Sequence, residues 1–136
     1  MAMLVVAAAL VDRAGRCLMQ QRPRAKRHGG LWEFPGGKVE EGETPAAALV
    51  RELGEELAIT VDERALYPLS FAGDVAADGS VLVMLLFCCT EWSGEPLALA
   101  AEAMRWDVPA ALSKLPMPPV DVPLLAALAT YLSPER

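Results

Sequence analysis

Cysteine is scarce. The 136-residue chain has three, Cys17, Cys88 and Cys89, an odd number with two of them adjacent. No disulfide framework and no Cys-x-x-Cys metal spacing can be built from that set, so reduced core or strand thiols are expected. Aromatics make up 6% of the residues, which is poor material for the stacking platform of a single-stranded RNA binder. A surplus of cations is also missing: 12 Lys and Arg stand against 18 Asp and Glu, for a net charge of −6. Affinity for phosphate backbones needs surplus positive charge, which argues against stable nucleic-acid binding. One small polyphosphate ligand remains open, because bound divalent metal reverses the sign of a site locally. Long apolar runs are absent too. The longest, residues 1–11 and 81–89, fall short of the roughly 20 residues that span a bilayer. No Lys or Arg precedes the N-terminal run, as a secretory signal would require. A cytoplasmic protein with no membrane partner is the expectation.

What is present is an ordinary globular composition, 54% apolar and 22% charged. The length fits a single domain over residues 1–136, at a prior of roughly 150 residues per domain. A chain of this size buries about two-thirds of its unfolded surface.

Leu4 to Val11, a turn at Asp12-Arg13-Ala14-Gly15, and Arg16 to Gln21 read as a hairpin. Pro23 to Gly30 is a basic loop holding Arg24, Lys26, Arg27 and His28. Leu31 to Phe34 is extended, and Pro35-Gly36-Gly37 punctuates the chain. Thr44 is a good N-cap and Pro45 suits the first helical position. The helix they open runs to about Ala58, with Leu49, Leu53 and Leu57 on one apolar stripe. Further strands are expected around Tyr67 to Phe71, Val81 to Trp92 and Met104 to Val108. A second helix is expected from Val120 or Asp121 to Leu132. Irregular interleaving of strands and helices favours a mixed, partly antiparallel sheet flanked by helices, an α/β (α+β) fold.

Six of the 18 acidic residues lie between Glu40 and Glu56, offset there only by Arg51. At 100° per residue, Glu52, Glu55 and Glu56 occupy a helical arc of roughly 100° beside the leucine stripe. Like charges at these spacings repel. A hard divalent cation, Mg²⁺ or Mn²⁺, would compensate them, since such ions take carboxylate, carbonyl and water oxygens. The adjacent Pro-Gly-Gly turn lacks bulky side chains, so its carbonyls could approach the same ion. The competing reading is a solvated acidic helix face.

The run from Gly37 to Ile59, GKVEEGETPAAALVRELGEELAI, resembles the Nudix box, Gly-x5-Glu-x7-Arg-Glu-U-x-Glu-Glu-x-Gly-U, with U apolar. Gly37, Glu43, Arg51, Glu52, Leu53, Glu55, Glu56 and Ile59 fall at the required positions; Ala58 stands where the family has Gly. The flanking segments, QQRPRAKRHGGLWEFPGG and RWDVPAALSKLPMPPVDVPLLAAL, are similar to the MutT branch, the 8-oxo-dGTP diphosphatases. The resemblance implies an α/β/α sandwich and a metal-dependent nucleoside triphosphate pyrophosphohydrolase that sanitises the nucleotide pool, working as a monomer or homodimer. It implies that Glu52, Glu55, Glu56 and the Gly36 carbonyl hold the metal, that Glu52 takes a proton from the attacking water, and that Arg51 anchors the cluster. Glu43 would organise the ligands without being one. Arg22, Arg27 or His28, Glu33, Phe34, Pro35, Gly36 and Lys38 would line the nucleotide cleft, Phe34 either against a base or in the core.

Two positions depart from the branch. Asp121 stands where an Asn reads the purine edge; it could read a base or simply cap the last helix. Ala100 stands where relatives carry an extra loop Glu, and Glu102, two residues on, is the carboxylate available to replace it. The alternatives are a CTP or dCTP pyrophosphohydrolase and a non-catalytic nucleotide sensor on the same scaffold.

Overall fold

The computed structural model describes residues 2–134. Its strands are β1 (Ala2–Leu10), β2 (Cys17–Gln21), β3 (Trp32–Glu33), β4 (Gly36–Lys38), β5 (Tyr67–Val75), β6 (Val81–Cys89) and β7 (Ala103–Asp107). Its helices are α1 (Pro45–Leu57), α2 (Pro109–Leu112) and α3 (Asp121–Leu132), with one 3-10 turn at Glu63–Ala65.

Strand β1 is central. It is rich in Val and Ala, small enough to be covered on both faces. Val6, Ala8 and Leu10 point into a core shared with α1, whereas Ala7, Ala9 and Val11 point into a core shared with α3. Helices therefore cover both faces, the expected sandwich. The sheet order is β4-β1-β6-β5, with β1 parallel to β6 and antiparallel to β4. A second, antiparallel sheet has the order β3-β2-β7.

Two sheets replace the one that the sequence suggests, and the hairpin is where they part. Val11 and Cys17 form a single bridge, closed by Asp12 N–H donating to Arg16 O at 2.9 Å. Beyond it β1 and β2 take different partners. Strand β4 is also unforeseen, because two glycines read as punctuation although Gly36 and Gly37 pair with Ala7 and Val6.

Helix α1 follows its sequence signals. Thr44 is extended and its hydroxyl accepts from Ala47 N–H at 3.1 Å, satisfying one of the free donors of the first turn. Ala48, Leu49, Leu53 and Leu57 are buried. The helix stops at Ala58, which adopts φ 58°, ψ 32° and donates to Gly54 O. That left-handed conformation is the one glycine takes without penalty. The final carbonyls of α1 are also met: Leu99 N–H donates to Glu56 O at 3.1 Å and Leu97 N–H to Leu57 O at 2.9 Å. Helix α3 buries Leu124, Leu125 and Leu128. All three cysteines are buried free thiols, as expected. Among the described residues no helix is long and apolar enough to cross a membrane.

Candidate active site

The seam between the sheets holds a cavity of about 140 Å³. Gln20, Gln21, Arg22, Pro23 and Lys26 form one wall, from β2 and the loop after it; Glu33, Gly36, Glu56, Ala100 and Ala101 complete it. The chain is routed here by α1. Because Leu97 and Leu99 seal the end of that helix, Ala100 and Ala101 come to lie beside Glu56.

Arg51 organises the acidic helix. Its Nε donates to Glu43 Oε2 at 2.7 Å and its Nη2 to Glu43 Oε1 at 3.0 Å. Nη1 reaches Glu52 Oε2 at 3.1 Å and Glu55 Oε1 at 3.3 Å, and Nη2 also donates to Lys38 O at 3.1 Å. The hydrogen bonds from Arg51 and from Glu40 N–H hold the Glu43 carboxyl down at about 2, and Glu43 in return keeps Arg51 cationic. This network places Glu52 toward the Gly36–Gly37 strand. A Cβ on Gly37 would overlap the Glu52 carboxylate, and one on Gly36 would overlap Val6 O on β1. The first glycine makes room for the sheet and the second for the acid.

Glu56 faces Glu52. Its Oε1 accepts from Gln20 Nε2 at 2.9 Å and from Gly36 N–H at 3.3 Å. Burial, then the hydrogen bond with Glu52, push its carboxyl well above the usual carboxylate range. Two carboxylates in contact repel unless positive charge lies between them. A divalent ion there satisfies both, so the donor set fits a hard cation at Glu52 and Glu56. Glu55 joins the cluster only through Arg51, with its side chain 60% exposed. Among the described residues no three acidic, His or Cys side chains converge as a ready ligand set.

The other expected residues divide. Arg22 lines the cavity, paired with Glu33 at 3.2 Å. Its Nε also holds Arg27 O at 2.9 Å. Burial raises the Glu33 carboxyl, with Arg22 pulling against it. Arg27 and His28 are exposed and lie outside the wall; Lys26, which nothing in the sequence distinguished from its basic neighbours, takes the place in it. Lys38 contributes its carbonyl to Arg51, and its side chain is exposed. Pro35 is buried with its carbonyl bonded by Ala8 N–H at 2.9 Å.

Two expectations need correction, and a third takes one of its two alternatives. Phe34 takes the core alternative: it is 4% exposed, packed with Leu124 and Leu128 in the core beneath α3. Asp121 does not cap α3: the cap position is Val120 and makes no side-chain bond. Instead Asp121 is 1% exposed, its Oδ2 accepts from Phe34 N–H at 3.1 Å, and its Oδ1 has no partner. Burial pushes its carboxyl up to about 7. Glu102 does not reach the cavity: its side chain is exposed and its N–H bonds Gln21 O at 2.9 Å, whereas Ala100 lines the wall. The sequence reading also missed Gln20, a polar side chain buried on a strand; its place before Gln21 and Arg22 was the available signal.

The NUDIX domain family model matches residues 1–128. The chain is 40% identical over 129 residues to the CTP pyrophosphohydrolase of Escherichia coli (strain K12), covering 93% of this chain and 92% of that one. It is 38% identical over 130 residues to putative 8-oxo-dGTP diphosphatase 2 of Mycobacterium tuberculosis (strain ATCC 25618 / H37Rv), covering 96% and 90%. The solution structure of the E. coli ORF135 protein matches with a TM-score of 0.85 at 34% identity, covering 99% of this chain and 93% of that one. The crystal structure of a MutT NUDIX hydrolase from Burkholderia pseudomallei matches with a TM-score of 0.76 at 29% identity, covering 94% and 96%. The chain belongs to the NUDIX domain family, as a MutT-like Nudix hydrolase acting on phosphoric anhydride bonds.

Proposed function

We propose that the chain is a Mg²⁺-dependent nucleoside triphosphate pyrophosphohydrolase, with Mn²⁺ able to substitute, and that it clears oxidised purines such as 8-oxo-dGTP from the cytoplasmic nucleotide pool. It acts as one Nudix unit on a small free nucleotide. The observation that carries this reading is the facing pair Glu52 and Glu56 beside the side-chain-free backbone of Gly36 and Gly37.

Glu52, Glu56 and the Gly36 carbonyl would hold the cation, with Glu55 entering from the Arg51 network. When bound, Mg²⁺ acidifies the attacking water and offsets charge on the phosphate oxygens. Glu52 takes the proton of that water as its oxygen attacks an internal phosphorus. The anhydride bond breaks, leaving a nucleoside monophosphate and pyrophosphate. Arg51 holds Glu52 in line throughout. Arg22 and Lys26 at the wall meet the phosphates as charge-assisted donors.

Asp121 is the candidate base reader on its place at the start of α3 and its unpartnered Oδ1, which is buried beneath the cavity wall and not part of its lining. Ionised, it accepts from the ring N–H and exocyclic amine of a guanine; protonated, it also donates. The second reading is CTP or dCTP, favoured by the 40% identity to a CTP pyrophosphohydrolase. A protonated Asp121 offers the donor and acceptor that cytosine N3 and its 4-amino group require.

The test is a kcat/KM panel over dGTP, 8-oxo-dGTP, CTP, dCTP and ADP-ribose, with and without Mg²⁺. Pyrophosphate release that requires Mg²⁺ and ranks 8-oxo-dGTP above dGTP supports the first reading. CTP or dCTP at the head supports the second. No release from any nucleotide points to the sensor. Glu56→Gln lowers kcat by orders of magnitude with the fold intact; near-wild-type turnover at saturating Mg²⁺ refutes the ligand assignment.

A further inference from the structure

Strand β2 alternates in the ordinary way. Cys17 and Met19 face the α3 core and Leu18 the α1 core. Gln20 shares the parity of Leu18, so a polar side chain stands in an apolar file. It is 4% exposed. Its amide nitrogen donates to Glu56 Oε1 at 2.9 Å, while its carbonyl oxygen is buried in the cavity wall without a partner. An unpaired buried carbonyl is costly. An apolar side chain of similar length would avoid that cost, so packing alone does not account for a glutamine here.

Gln20 and Gly36 both donate to the same oxygen, Oε1. Glu56 is thereby fixed in rotation, and among the described residues no N–H donates to its Oε2. The unpartnered carbonyl of Gln20 is buried on the same amide whose nitrogen holds Glu56, in a residue of the cavity wall. A carbonyl oxygen is what a hydrated hard cation recognises, either directly or through its water.

We propose that Gln20 is a positioning residue of the cation site: its N–H orients Glu56, and its free carbonyl accepts a hydrogen bond from the hydration shell of a divalent cation held by Glu52 and Glu56. This rests on the metal-dependent reading above. The role lies outside the Nudix box and adds a β2 side chain to the ligand-supporting set.

The test is Mn²⁺ binding without nucleotide, read from the electron paramagnetic resonance of the free ion, for wild type, Gln20→Met and Glu56→Gln. Methionine keeps the length and removes both polar groups. The expected result is an affinity about 10- to 100-fold weaker for Gln20→Met, with thermal unfolding of the metal-free protein no lower than wild type. Wild-type affinity in Gln20→Met, alongside lost binding in Glu56→Gln, overturns the role of Gln20 and leaves the metal site standing. Wild-type affinity in both variants overturns the metal reading and this proposal with it. A second measurement needs no variant. The side-chain amide signals of Gln20 in wild type are expected to shift on Mg²⁺ addition along with the backbone amides of Gly36 and Gly37. A stationary Gln20 signal while those glycines respond overturns the proposal.

Discussion

Arg51 grips Glu43 with two parallel bonds, Nε to Oε2 at 2.7 Å and Nη2 to Oε1 at 3.0 Å. Glu43 lies before α1 and Arg51 in its middle, so the pair ties the loop to the helix. The same guanidinium still has an arm left for Glu52. A lysine is a point charge and cannot serve both directions at once. Arg51→Lys is expected to lower kcat/KM about 10- to 100-fold, as for lost ligand-supporting contacts, with the far-UV circular dichroism unchanged. Steady-state kinetics beside wild type checks this; equal kcat/KM shows that one arm suffices.

The adjacent glycines should separate in their effects. A methyl group on Gly37 meets the Glu52 carboxyl first, whereas one on Gly36 meets the backbone of β1. Gly37→Ala is therefore expected to fold normally and lose turnover. Gly36→Ala should unfold at a clearly lower urea concentration. Urea melts and single-turnover rates of both variants check the contrast.

Asp121 ties stability to pH. Its folded value of about 7 lies above the ordinary 3.8. A carboxyl raised in this way favours the folded state while protonated, so its contribution is full below about pH 4 and is lost as pH rises through about 7. Asp121→Asn keeps an acceptor for Phe34 N–H and removes the charge. It should raise stability at pH 8 by a few kcal/mol at most and by clearly less at pH 5. Urea melts at the two pH values test this, and an equal effect at both would contradict the buried-charge account. The same variant tests base reading: unchanged relative kcat/KM across bases removes Asp121 from recognition.

Ala58 holds a left-handed conformation at φ 58°. An L-residue there is strained by about 1–2 kcal/mol, and glycine relieves it while adding freedom to the unfolded chain. Ala58→Gly should stabilise the protein by about 0.5–1 kcal/mol net. Equilibrium urea unfolding measures it; a loss of stability would show that Ala58 is not strained.

Helix α1 was readable because its signals are local: a hydroxyl cap, a proline at the first position and leucines every fourth residue all lie within its own span. The mixed sheet with helices on both faces could be anticipated from the same kind of pattern. The parting of β1 and β2 could not, since the hairpin residues give no hint that β6 and β7, some 60 to 90 residues later, each claim one arm. For Phe34 and Asp121 the sequence leaves two readings open, for a related reason. Their meaning depends on α3 closing over the β3–β4 segment, which turns an aromatic inward and sets a carboxyl against a backbone amide between the two strands. Lys26 and Arg27 are chemically alike in a loop, and only the course of the backbone decides which one meets the cavity.

Glu56 Oε1 receives hydrogen from Gln20, in the three-stranded sheet, and from Gly36, in the four-stranded one. One atom thus links the two sheets, which also share both apolar cores. On the proposed metal-dependent reading, an ion settling against Glu56 bears on both sheets at once.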